Sequence, residues 1–214
     1  PGNYYIGSNI AITDKQFNFV GFGAIISTDA NVSIFTISST VTAASKCKFD
    51  GLVFRGNDTG TSQIGLNFSD NSGSFQITNC SFTDFGGSGI AVANTETSDQ
   101  LGGMINACKF YSNNIGVNLL ARGEYVQICE CDFVSNTKGI LSIAGNALIN
   151  GCNLNYNVIG IEVDTGANNG HSIISNCNIN HNTTYSLNIQ NTSVYMTLTG
   201  NHIYQGEIRV FTCT

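Results

Sequence analysis

Five cysteines fall at one position of a repeating unit, and this repeat restricts the fold more than any other feature of the chain. The segments Phe75-Gln-Ile-Thr-Asn-Cys80-Ser-Phe82, Gly103-Met-Ile-Asn-Ala-Cys108-Lys-Phe110, Val126-Gln-Ile-Cys-Glu-Cys131-Asp-Phe133, Ala147-Leu-Ile-Asn-Gly-Cys152-Asn-Leu154 and Ser172-Ile-Ile-Ser-Asn-Cys177-Asn-Ile179 align without gaps. Three residues before each cysteine stands Ile77, Ile105, Ile128, Ile149 or Ile174, and two after it Phe82, Phe110, Phe133, Leu154 or Ile179. Four repeats continue with Gly89-Ile90, Gly116-Val117, Gly139-Ile140 and Gly160-Ile161, and the fifth has Ser186-Leu187 instead. The cysteines are 28, 23, 21 and 25 residues apart, a period that belongs to stacked supersecondary units.

Within each short run apolar residues recur at spacing two, as in Cys131/Phe133 and Ile161/Val163, which is the strand period. The parity breaks between Ile128 and Cys131 and between their counterparts, so the strand bends there. Asn, Gly, Ser, Thr and Asp fill the bends. Three short strands per ~23 residues, stacked at ~4.8 Å, make an all-β parallel β-helix in which the cysteines, isoleucines and phenylalanines become interior ladders. Leu52-Val-Phe54 extends the Cys-x-Phe column upstream, and Asn201-His-Ile203 extends it downstream with Asn201 in the cysteine slot. The first part alternates well (Ile10-Ala-Ile12, Phe17-Asn-Phe19-Val20, Ile34-Phe-Thr-Ile37) but lacks the cysteine. The expectation is roughly nine coils and a rod ~40 Å long, as a single domain over residues 1–214.

Only 10% of residues are charged while 42% are hydrophobic, which argues for a packed core and against disorder. Net charge is −6 and the few Lys and Arg are scattered, so neither nucleic acid nor an anionic membrane is an expected partner. No apolar run approaches ~20 residues, the length a spanning helix needs, and no signal peptide is recognised. The chain opens Pro1-Gly2 without Met, which reads as a piece of a longer polypeptide. Flanking domains or partner chains are then expected to cap the open ends of the β-helix.

The shared slot of Cys80, Cys108, Cys131, Cys152 and Cys177, which Leu52 fills in another coil, marks them as buried free thiols acting as small hydrophobes. Stacked neighbours come within disulfide range, but parallel side chains do not supply the dihedral a disulfide requires. Reduced thiols point to folding in a cytosol. Cys129 lies at a bend and Cys47 and Cys213 lie outside the column, so their state is open. Zinc is not expected, because no Cys-x-x-Cys pair exists and His171, His181 and His202 lack ligand spacing. No metal and no cofactor is assigned.

The opening residues Pro1-Gly2-Asn3-Tyr4-Tyr5-Ile6, Ile10-Ala-Ile12 and Phe19-Val20-Gly21-Phe22-Gly23 carry a resemblance. Together with the Asn-Cys-x-Phe and Gly-Ile coils, they resemble the pectate-lyase-like right-handed parallel β-helix superfamily, in particular its bacteriophage tailspike and tail appendage members. These begin Pro-x-Gly-x-Tyr, then a strand, then a Gly-x-Gly turn; here Pro and Gly are adjacent. The resemblance covers nearly the whole chain and implies a right-handed coil. It also implies a homotrimer of parallel rods, bacterial surface polysaccharide as partner, and a place in the virion tail after folding in the host cytoplasm. A secreted, extracellular protein is the alternative. Pectate-type lyases of the superfamily use clustered Asp for calcium with a basic Arg or Lys, and this sequence has no three-Asp cluster.

Core and turn motifs say nothing of activity, so function has to be argued from outward positions. The densest charged cluster is Lys109, Glu130 and Asp132. Asp132 projects outward between Cys131 and Phe133, and Lys109 is its counterpart one coil below. Glu130 and Asp132 are candidate catalytic carboxylates for a glycosidic bond, Glu130 as the acid and Asp132 as its ionised partner. The bland alternative is a surface ion pair of Asp132 with Lys109. Glu162 and Asp164 flank inward Val163 and form a second candidate pair, with Arg122 and Glu124 nearby in repeat space; the alternative is a solvated strand face. Leu120, Leu141 and Ile143 occupy outward slots and form a candidate trimer seam. Tyr4, Tyr5, Tyr111, Tyr125, Tyr156 and Tyr185 either stack on sugar rings or cover bends. Asn31, Asn57, Asn67, Asn79, Asn182 and Asn191 open Asn-x-Ser/Thr sequons that composition alone explains.

The sequence therefore points to a β-helical domain of a tailspike, tail fibre or appendage that binds, and in one version cleaves, a bacterial surface polysaccharide. The competing classes are a free-standing polysaccharide lyase, hydrolase or epimerase, and a non-catalytic rod or adhesin.

Overall fold

The computed structural model describes residues 2–39, 46–58, 60–69, 74–92, 102–120, 125–143, 146–166, 171–192 and 195–211. Among them every regular element is a β-strand, and the strands fall into three parallel sheets of nine, nine and eight members. The sheets take every third strand in chain order, so the chain winds through all three once per coil. The protein is an all-β parallel β-solenoid with three strands per coil, as the repeat requires. The first sheet includes Ser81–Thr83, Lys109–Tyr111, Asp132–Val134, Asn153–Asn155, Asn178–Asn180 and His202–Tyr204. Ser88–Val92, Ile115–Leu119, Lys138–Ser142, Ile159–Gly166 and Tyr185–Thr192 belong to the second. Gly103–Asn106, Val126–Cys129, Ala147–Asn150, His171–Ser175 and Tyr195–Thr199 belong to the third.

The parity break has a single cause. Gly51, Asn79, Ala107, Glu130, Gly151, Asn176 and Gly200, each at the corner between third and first sheets, all have φ between +53° and +71°. One left-handed residue turns the chain and returns the next side chain to the interior, while its N–H still reaches the coil above, as Glu130 does to the Asn150 carbonyl at 3.0 Å. A second corner, after the first sheet, repeats the device at Asp84, Ser112, Ser135, Tyr156, His181 and Gln205.

Inside, the ladders stand as the sequence orders them. Phe54, Phe82, Phe110 and Phe133 stack ring on ring with centroids 4.7–5.1 Å apart and planes within 7°. Cys80, Cys108, Cys131, Cys152 and Cys177 are at most 2% exposed, and every described cysteine is a free thiol. Each S–H finds a carbonyl two residues back, such as Cys131 Sγ to the Cys129 oxygen at 3.2 Å. Cys47, left open by its place outside the ladder, is buried too, in register with Phe17 and Phe75 on the third sheet. Cys129 is half-buried, and Cys213 lies outside the described residues.

Two interior columns explain motifs that apolar patterning leaves unread. The Gly-Ile glycines face one another across coils: a Cβ on Gly116 would lie 2.5 Å from the Gly139 carbonyl oxygen and 2.7 Å from the Phe133 ring. Asn113, Asn136, Asn157 and Asn182 form the second column, at most 3% exposed. Asn136 Oδ1 accepts the backbone N–H of Asn113 at 2.9 Å and its Nδ2 at 3.0 Å; Asn136 Nδ2 in turn donates to the Phe110 carbonyl and to Asn157 Oδ1. Asn157 and Asn182 repeat the pattern. The sequon at Asn182 is therefore closed to any glycan, because its side chain is spent inside the rod.

At both ends of the described structure, core-type side chains lie open. Phe22 is 91% exposed, and Val210 is 63% exposed although its partner one coil down, Ile189, is 5% exposed. The proposed seam on the second sheet is less open than its outward slots suggest. Leu141 is only 9% exposed, and Leu120 and Ile143 are half-buried. Leu141 stands between Asn118 and Glu162 of the adjoining coils, and Lys138 reaches across coils to Glu162, so little of the leucine faces solvent.

Candidate functional site

Phe133, Leu154 and Ile179 point inward, so the residues on either side of them point out from the first sheet. Three outward rows result. Lys109, Asp132, Asn153, Asn178 and His202 form the first, in coil-by-coil register. Tyr111, Val134, Asn155, Asn180 and Tyr204 form the second. Tyr156 and His181, on the left-handed corner, begin the third.

These rows are wired to one another. Asn153 Nδ2 donates to Asp132 Oδ1 at 2.9 Å, and Asn180 Nδ2 donates to Asn178 Oδ1 at 2.8 Å. His202 Nδ1 lies 3.1 Å from Asn178 Oδ1, and His181 Nδ1 lies 3.0 Å from Asn180 Oδ1. Asn155 Oδ1 is closed off from solvent and accepts no hydrogen bond. Along the edge, Tyr156 stacks on His181 at 5.0 Å, and His181 meets Tyr204 edge-on at 5.6 Å. Tyr156 and Tyr204 keep more than half of their surface open, so their rings are presented to solvent rather than packed away.

The candidate carboxylates fare differently. Asp132 lies within this face. It is half-buried and held by Asn153 from the coil above, and the ion pair expected with Lys109 does not form; among the described residues the ion pairs are Lys48–Asp50 and Lys138–Glu162. Glu130 stands exposed on the left-handed corner beside the face. The second pair does not form a solvated strand face. Glu162 is 6% exposed, with Oε1 2.7 Å from Lys138 Nζ and Oε2 accepting from Asn188 at 3.2 Å. Both of its oxygens are engaged in holding three coils together, which is the reason it is buried. Asp164 is half-buried and accepts from Gln190 at 3.3 Å. Arg122 and Glu124 lie outside the described residues.

Of the tyrosines singled out by sequence, Tyr111 and Tyr156 lie on this face, Tyr4 and Tyr5 belong to the first strand of the same sheet, Tyr185 opens a strand of the second sheet, and Tyr125 sits at a left-handed bend just before the third-sheet strand Val126–Cys129. Asn155, Asn180, His181, His202 and Tyr204 were not anticipated, yet their signal is in the repeat. They follow the inward Phe/Leu/Ile position by one or two residues, or precede it by one, and reading the outward slots as columns finds them. Chemically the face combines amide and carboxylate edges, which both donate and accept hydrogen bonds, with aromatic rings that offer apolar surface. A ligand with hydroxyl edges and C–H faces meets both requirements. No family model matches the chain, and no curated protein matches it.

Proposed function

We propose that the chain is a β-helical glycan-binding domain of the phage tailspike or tail appendage kind, which lays a bacterial surface polysaccharide along the outer face of the first sheet. One observation carries the reading: Asp132, Asn153 and Asn178 stand in register on successive coils, with Asn180 in the next row, beside the Tyr156, His181 and Tyr204 rings. Coils rise by ~4.8 Å, about one sugar unit, so a polymer running along the rod meets a hydrogen-bonding side chain of the first row at each step. The sequence resemblance of the opening segment supports the tailspike kind. Binding rather than cleavage is favoured, because Glu130 lies open to solvent and Asp132 is tied to Asn153, whereas a general acid works from a partly desolvated site. Assembly of parallel rods into a homotrimer through Leu120, Leu141 and Ile143 belongs to the same reading.

The test is a panel of bacterial capsules and O-antigens, scored for binding and for released oligosaccharide, with sedimentation of the same samples. At least one glycan should bind, and Tyr156→Ala or Asn178→Ala should weaken it tenfold or more. Binding that neither variant disturbs, or no binding at all, would leave the purely structural rod. Oligosaccharide release that disappears in both Glu130→Gln and Asp132→Asn would make the domain a glycosidase. A monomer in sedimentation removes the trimer seam.

A further inference from the structure

On a different face, at the entry to the third sheet, Tyr125 and Asn146 stand just before the strands Val126–Cys129 and Ala147–Asn150, joined by the Tyr125 N–H to the Asn146 carbonyl at 2.7 Å, and His171 and Tyr195 pair on the next two coils. His171 and Tyr195 stack at 5.4 Å with planes 19° apart, so their ring planes lie across the rod axis, one coil from each other. The next ring down is Tyr125, two coils below His171. The slot between them belongs to Asn146, whose side chain is drawn to the sheet by accepting the His171 backbone N–H at 2.8 Å. The result is a cavity of about 230 Å³ with Tyr125 at one end and His171 at the other. Leu148 and Ile173 line its floor, and Gln127 and Asn146 bring amides to it.

Two coil rises separate the bounding residues by ~9.6 Å, twice the inter-strand spacing. An occupant midway lies one coil rise, ~4.8 Å, from each bounding residue. The slot is thus one ring thick and open on its outer side. Its walls demand apolar faces, and its amides demand hydrogen-bonding edges. Among the described residues no charged side chain lines it.

We infer that this slot is a monosaccharide clamp, which takes one pyranose ring between Tyr125 and His171. The clamp is separate from the first-sheet face and does not need it; a sugar here is held singly, ring face to ring face, not laid along the rod.

The test is titration of the whole chain with methyl glucoside, galactoside, mannoside and N-acetylglucosaminide, followed by ligand-observed NMR saturation transfer. p-Cresol serves as the aromatic competitor. At least one pyranoside should bind, and Tyr125→Ala and His171→Ala should each weaken it at least tenfold. Both side chains are exposed, and thermal unfolding verifies that the variants remain folded. Polysaccharide binding, read on the same Tyr125→Ala and His171→Ala variants, should be unchanged, so failure here and failure of the polysaccharide reading are separable. No pyranoside binding at millimolar concentration, binding indifferent to both substitutions, or binding of p-cresol alone each overturns the clamp.

Discussion

At the scale of single residues, the asparagine column shows how a polar side chain can serve a core better than an apolar one. At the corner after the first sheet the backbone leaves N–H and C=O groups that the strands do not pair. Asn136 satisfies several at once: it takes the Asn113 N–H and caps the Phe110 carbonyl, in a place where water does not reach. An unpaired buried group costs about 1–3 kcal/mol, and truncating this side chain strands at least two. Asn136→Ala should therefore lose roughly 3 kcal/mol of stability in urea unfolding. The exposed Asn153→Ala should stay within about 0.5 kcal/mol of the parent. Equal losses at the two positions would mean that the buried column carries no special weight. The same residues mark a limit of reading from sequence. Asn113, Asn136, Asn157 and Asn182 each follow the Phe/Leu/Ile slot by three, but asparagine is so common here, and so often a turn residue, that its periodicity is hidden among the bends.

At the scale of the element, the bend and the strand after it are set by opposite demands on backbone space. Each corner needs a left-handed residue: the one before the first sheet takes Ala107 and Glu130 as well as glycine and asparagine, and the one after it takes side chains such as Tyr156 and His181. Those four side chains carry no turn signal, so the sequence locates the bend only through the broken parity of its neighbours. The strand that follows needs closeness. Gly89, Gly116, Gly139 and Gly160 let a carbonyl approach from the next coil, together with the side chain of Phe110, Phe133, Leu154 or Ile179. Where Ser186 fills the slot, the register slips between Tyr185 and Leu187, and Gly206 leaves room above it. Gly116→Ala should overpack this seam and cost about 1–3 kcal/mol, read as a lower urea midpoint with an unchanged slope. An unchanged midpoint would show that the seam can open to admit a methyl group. The three-strand coil and its cysteine, isoleucine and phenylalanine ladders were legible because burial repeats with the period. The burial of Glu162 was not, because it depends on Lys138 and Asn188, which lie on the coils on either side of it.

At the scale of the molecule, the thiols tie stability to pH. Burial pushes the Cys47 thiol from 9.0 up to about 12. In the ladder, hydrogen bonding with the thiol of the coil below, then burial, pushes Cys152 and Cys177 up as well. A group whose pKa is raised by folding contributes fully below its unfolded value and loses that contribution as pH climbs to the folded one. Stability should hold to about pH 9 and then fall, by ~1.4 kcal/mol per pH unit for each thiol that ionises only when unfolded. Urea midpoints at pH 7, 9 and 10.5 measure this, and Cys47→Ala should flatten the decline. A midpoint that does not move above pH 9 contradicts it. The in-register columns have a further consequence, for the length of the molecule. Because every ladder repeats at each turn, the rod can change length only in whole turns. Removing Lys109 through Cys131, the 23-residue step, joins Cys108 to Asp132 with every column restored, one rise shorter. A cut of 20 residues, short of the period, puts Phe133 in the slot of Asn113. The protein is in this sense a ruler graduated in steps of ~4.8 Å, and whatever it holds at its two ends is held at a whole number of those steps.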